Sequence, residues 1–162
     1  MYKRQGFSGR TGYDATDDIA DGNGTNIEDI GDVNVGAKVS FLEAGENNTC
    51  VVTTSHKARC WGANDRGPLG TGDADRIGDS VENTIANMGD IPLTADVLRI
   101  NNNNGTVCAV TEEGGGRCWG NGVNGRLGTG NPDNQGDNAG EIEALTDIDV
   151  AVSYTHLTLP TT

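Results

Sequence analysis

The chain has 162 residues, with 24 acidic residues against 11 basic ones and a net charge of −13 at neutral pH. That charge repels phosphates and anionic headgroups, which argues against a nucleic-acid partner, and no apolar run is long enough for membrane insertion. Hydrophobic residues make up only 34%, aromatics 4%, and glycines number 25. The remaining options are a disordered chain or short strands joined by glycine-rich turns.

At the ends, the codons able to encode Tyr2–Gln5 read, in reverse complement, into those able to encode Val152–Leu157. One transposon-type library adaptor read in opposite directions leaves that trace. Residues 1–5 and 152–162 are therefore expected to be adaptor sequence and are set aside. Met1 is then no guide to a start or a leader.

From Gly6 onward the chain repeats itself every 58 residues. Gly6-Phe7-Ser8-Gly9-Arg10-Thr11-Gly12 matches Gly122-Val123-Asn124-Gly125-Arg126-Leu127-Gly128 at twice that offset, and Leu69-Gly70-Thr71-Gly72 returns as Leu127-Gly128-Thr129-Gly130. Cys50, Cys60, Trp61 and Gly62 return as Cys108, Cys118, Trp119 and Gly120. The predicted units are 6–63, 64–121 and a partial 122–151. Such regularity argues against disorder and for one supersecondary unit stacked several times.

Within a unit, the segment after the first glycine turn is long, acidic and without period: Asp14 to Asp29, Asp73 to Met88 and Asn131 to Glu141. These are expected as loops on one face of the stack. Apolar stretches at Val33 to Leu42 and Leu93 to Ile100 predict strands. A hairpin follows. Val107 to Thr111 and Gly115 to Trp119 flank Glu112-Glu113-Gly114, a three-residue loop whose third residue must be left-handed. The earlier copy places His56 there, a residue that tolerates this conformation. Counting outward puts Cys50 opposite Cys60 and Cys108 opposite Cys118, each at a non-hydrogen-bonded pair within disulfide reach. Trp61 and Trp119 are expected to pack between units. Gly62, Gly70, Gly72, Gly120, Gly128 and Gly130 are expected to be structural.

The run Cys108-Ala109-Val110-Thr111-Glu112-Glu113-Gly114 with Arg117-Cys118-Trp119-Gly120, continued by Asn121 to Gly130, resembles the regulator of chromosome condensation (RCC1) repeat. Departures are Arg126 where glutamine is usual, Pro68, and Thr11 where leucine is expected. The paired cysteines resemble the exported bacterial branch of that family. The resemblance implies an all-β fold, a β-propeller of four-stranded blades, seven-bladed in complete members, of which about 2.5 repeats stand here. It implies no active-site residue, because the family's functions differ.

Catalytic and metal constellations are not expected. His56 is the only histidine outside the set-aside ends, and no Ser/His/Asp set accompanies it. Asp17-x-x-x-Asp21-Gly22-Asn23-Gly24 hints at a calcium loop, but Ile19 stands where an oxygen ligand is needed, and it reads as a solvated acidic loop. Gly70-x-Gly72 and Gly128-x-Gly130 lack the context of a phosphate loop. Asn47-Asn48-Thr49 and Asn104-Gly105-Thr106 are glycosylation sequons. The functional expectation is a non-enzymatic module without cofactor, at a bacterial cell surface or outside it, that binds a protein or glycan, with a basic partner favoured. The alternative is a guanine-nucleotide-exchange-type regulator of a small GTPase.

Overall fold

The computed structural model describes residues 9–14 and 27–148. The set-aside ends and the candidate calcium loop lie outside the described residues, as does most of the first long loop. Among the described residues, six strands form two three-stranded antiparallel sheets. The first blade is β1 (Val39–Ala44), β2 (Asn48–Thr53) and β3 (Ala58–Gly62), and the second is β4 (Val97–Asn103), β5 (Thr106–Thr111) and β6 (Gly116–Gly120). The blades repeat in detail. A register shift between Val39 and Phe41 on β1 recurs between Val97 and Arg99 on β4.

Hairpin chemistry explains the pairing. Thr53 N–H donates to the Lys57 carbonyl at 2.8 Å and Thr111 N–H to that of Gly115 at 2.9 Å, so each loop has three residues. The third, His56 or Gly114, has a φ of 61° or 84°, as the turn requires. Counting from these closing pairs, Cys50 faces Cys60 and Cys108 faces Cys118 at narrow, non-hydrogen-bonded positions. Both pairs form disulfides, with Cα atoms 4.1 Å apart in each.

The fourth strand expected of each blade is reduced to a single bridge, Gly62 with Ile77 in the first blade and Gly120 with Gln135 in the second. Beyond the bridge the chain leaves the sheet edge to reach the neighbouring unit. The apolar stretches also start later than expected. Val33, Val35, Leu93 and Ala95 lie ahead of β1 and β4, in connectors that carry the chain from one blade's outer edge toward the next inner strand.

The core lies between blades. One cluster joins Cys50, Val52, Ala58 and Cys60 of the first blade to Ile100, Val107, Ala109 and Trp119 of the second, sealed by Leu69, Ile91, Ile142 and Leu145. A second cluster repeats part of that pattern one unit earlier, with Val35, Val51, Trp61, Ile85 and Met88. The two tryptophans occupy like environments. Trp61 Nε1–H donates to the Arg10 carbonyl at 3.2 Å and Trp119 Nε1–H to the Pro68 carbonyl at 3.0 Å. Each tryptophan thus docks on the glycine turn ahead of its own blade, whose closing hydrogen bonds, Gly12 N to Gly9 O and Gly70 N to Gly67 O, are both 3.0 Å.

Candidate functional site

The two rims of the stack differ in chemistry. At the rim of the hairpin turns, charges pair with one another. His56 Nδ1 meets the Glu112 carboxylate across the blade seam, and Lys57 Nζ meets Asp96 Oδ1 at 2.6 Å. The Lys57 hydrogen bond and positive charge hold the Asp96 carboxyl below its usual range, and Asp96 in turn raises the Lys57 ammonium. Below this rim, Arg59 Nε donates to Asp90 at 2.6 Å and Arg117 Nε to Asp147 at 2.9 Å. These two arginines clamp the connector that leaves each blade, a role the sequence reading missed. The aspartates are 57 residues apart rather than 58, and that offset hid the recurrence.

The loops leaving β3 and β6 begin as built turns. Asn64, fully buried, donates through Nδ2 to Thr71 Oγ1 at 3.0 Å and to the Asp73 carbonyl at 2.9 Å, while its Oδ1 accepts from Leu69 N at 3.1 Å. Asp73 accepts from the Thr71 hydroxyl at 2.9 Å and the Asp75 amide at 3.0 Å. Asn131 takes the same two kinds of bond from Thr129 and Asp133, at 3.3 and 3.2 Å. Asp73 therefore shapes its loop rather than standing as a free acid.

The segment Asp73 to Met88 is not wholly loop: Ile85 and Met88 are buried core residues, and Ile142 and Leu145, just past the Asn131 to Glu141 segment, are their counterparts. Mid-loop, Gly78 lies against the backbone of Gly9 and Gly136 against that of Gly67. Between these anchors and the core residues that follow, the exposed tips are Val81 to Asn83 and Asn138 to Gly140. Val81 is 82% exposed. The second tip closes on Glu141, whose carboxylate accepts from the Gly136 amide at 2.7 Å, the Asn138 amide at 3.1 Å and the Asn138 side chain at 3.0 Å. Partial burial works to raise the Glu141 pKa, but the bonds from the Asn138 side chain and the two amides outweigh it, so the carboxyl sits below its usual value.

Of the residues singled out in the sequence, the four cysteines are joined in pairs within the hairpins, the tryptophans lie in the seams, and Gly62, Gly70, Gly72, Gly120, Gly128 and Gly130 all have positive φ. Sequon residues Asn47 and Asn104 are exposed at strand connections. Among the described residues no three His, Cys, Asp or Glu side chains converge as metal ligands, and no helix is long and apolar enough to cross a membrane.

Comparisons agree with this geometry. The family model for the regulator of chromosome condensation (RCC1) repeat matches residues 39–67, which is the first blade and the start of the loop that follows it. Human WBSCR16 is similar in structure, with a TM-score of 0.51 and 17% identity over 63% of this chain and 24% of its own. Prp20p from Saccharomyces cerevisiae, whose structure was presented with its binding properties to Gsp1p and histones, gives a TM-score of 0.52 and 14% identity over 82% of this chain and 27% of its own. The chain thus spans about a quarter of the length of either solved protein. No curated protein sequence matches it. The RCC1 repeat model thus matches residues 39–67, and the 58-residue unit, the Cys-Trp-Gly hairpin and the shared architecture give the chain the fold of RCC1-type β-propeller blades.

Proposed function

We propose that the chain is part of a non-enzymatic binding module of an exported bacterial protein, taking a protein or glycan partner on the face where the loop tips emerge. One observation carries this reading. Sequence difference, length difference and exposure coincide at the tips. Ser80-Val81-Glu82-Asn83-Thr84 stands against Asn138-Ala139-Gly140-Glu141, one residue shorter, while the anchors around them recur as Gly78 and Gly136, Ile85 and Ile142, Asp90 and Asp147. Stacked repeats hold their scaffold constant and vary the presented loops, where partners dock. The acidic charge favours a basic partner, met quickly and weakened by salt. The two disulfides support an oxidising compartment.

The test immobilises the chain and measures capture of a basic probe, core histones, at low and high salt. Histones suit because the structural neighbour Prp20p is described as binding them. Gsp1p provides a second arm. Residues 80–83 and 138–140 are then exchanged for Gly/Ser. Capture that falls with salt and is lost on exchange supports the reading, and capture unchanged by the exchange refutes it. Nucleotide release from Gsp1p on addition of the chain would instead favour the exchange-factor alternative.

A further inference from the structure

The face of the first blade that turns away from the second is one half of a seam. In the complete seam, the β2–β3 hairpin lies against β4 and β5. Val52 packs in one cluster with Val97 and Ile100. Lys57 Nζ reaches Asp96 Oδ1 at 2.6 Å, and Val97 N donates to the His56 carbonyl at 2.8 Å.

The first blade carries the receiving half of that surface. Thr54 N donates to the Lys38 carbonyl at 2.8 Å, as Glu112 N donates to the Asp96 carbonyl at 2.9 Å. Lys38 therefore holds the place of Asp96, 58 residues on. Val39 and Leu42 stand where Val97 and Ile100 stand, and they are 40% and 55% exposed against 1% and 3%. One part of this second seam is already filled. The Arg10 carbonyl accepts from Trp61 as the Pro68 carbonyl accepts from Trp119. In the complete seam the glycine turn at 67–70 continues the chain from the β2–β3 hairpin. With residues 9–12 seated in the matching place, a hairpin alone completes the contact.

We propose that this face docks a β-hairpin of the same repeat type, with an aliphatic residue at the Val52 position and an acidic one at the Lys57 position. The seam between the two blades supplies the template for the first requirement, and charge sets the second. Asp96 receives a lysine, whereas Lys38 reverses the sign and forms no ion pair among the described residues. A hairpin like β2–β3, with lysine at that position, is therefore disfavoured, and the two seams select different partners. A second copy of this chain does not fit. The glycine turn after its β6, closed by Gly128 N to Gly125 O at 3.0 Å, would claim the place of residues 9–12, and its Gly115 offers Lys38 no acid. The surface is separate from the loop tips, and their exchange leaves it in place.

The probes are two disulfide-closed peptides with the sequence of residues 106–120, one with Gly115→Asp and one with Gly115→Lys. Each is titrated into the isotope-labelled chain and followed by NMR. The expected result is a saturable shift of the Leu42 and Val39 methyl signals, with the aspartate peptide bound at least about threefold more tightly. Lys38→Glu should reverse that preference. Leu42→Asp should weaken both peptides at least about tenfold, with the thermal midpoint held because the side chain is exposed. No saturable shift, equal affinity for the two peptides, or a preference that survives Lys38→Glu overturns the proposal. Concentration-dependent self-association in sedimentation, lost in Leu42→Asp, would assign the face to a second copy and overturn it too.

Discussion

Gly67 and Gly125 are the same residue of the same turn one repeat apart, with φ of 73° and 69°. Their surroundings differ. A Cβ on Gly67 would lie 2.5 Å from the Gly136 carbonyl carbon and closer still to the Asp137 amide, whereas a Cβ on Gly125 meets no described atom within 4 Å. Alanine at either position bears the left-handed penalty, about 1–2 kcal/mol. Only at Gly67 does it also drive the loop of the next unit off the turn, an overpacking cost of about 1–3 kcal/mol. Because the obstacle is backbone, no side-chain rotation relieves it. Gly67→Ala should therefore exceed Gly125→Ala by about 1–3 kcal/mol, or roughly 2–12 °C in midpoint for a chain of this size. Urea unfolding at constant slope measures the difference. Equal destabilisation within about 0.5 kcal/mol would refute the claim that loop 73–88 and its successor clasp the preceding glycine turns.

Trp119→Phe removes the donor to the buried Pro68 carbonyl and should cost about 1–3 kcal/mol by thermal denaturation; Trp61→Phe should cost less, because the Arg10 carbonyl keeps the Thr49 hydroxyl at 3.2 Å. Replacing either cysteine pair by alanines removes a crosslink of sequence separation 10 and should cost about 2–3 kcal/mol. Cys108–Cys118 should reduce first under limiting dithiothreitol, followed by mass spectrometry, because Cys108 is partly exposed and Cys50 is not. Glu141 has a folded-state pKa below its unfolded value, so its contribution is present at neutral pH and lost as pH falls through the folded value. Glu141→Gln should flatten that acid limb in a pH series of unfolding midpoints.

The repeat made much of the fold legible. Glycine or histidine at the third loop position fixes the hairpin count, and the count alone puts the cysteines face to face. Equal spacing also placed the tryptophans alike. Other features left no local trace. Ile85 with Met88, and Ile142 with Leu145, fill the core as pairs three residues apart, a single short turn at each place, too brief a pattern to mark an element, so Asp73 to Met88 read wholly as loop. A single deletion at the tips shifts the offset to 57 and breaks the match. Allowing that gap aligns Ile85 with Ile142, Met88 with Leu145 and Asp90 with Asp147, and exposes the arginine clamps. The fourth strand fails for a different reason. Gly78 and Gly136 carry the chain toward the neighbouring turn, so tertiary packing overrides any strand tendency. Asp73 and Glu141 look like free acids in sequence, but each is engaged by hydroxyl or amide donors of its own loop.

Exposed apolar residues in this stack need a separate argument before they are read as a binding patch. Val110 is 49% exposed, whereas Val52, the same position one repeat earlier, is 1% exposed. Leu42 is 55% exposed and its later counterpart Ile100 only 3%. Residue type and register match within each pair, so the difference comes from the neighbour. Val52 and Ile100 meet across the seam between the two blades, while Leu42 and Val110 face away from it. Burying such a side chain contributes about 1.5–3 kcal/mol, so sequence selection at these positions is accounted for by blade stacking alone. The loop tip is different: Val81 is 82% exposed although Gly78 anchors its loop against the Gly9 turn, so blade stacking does not account for that residue.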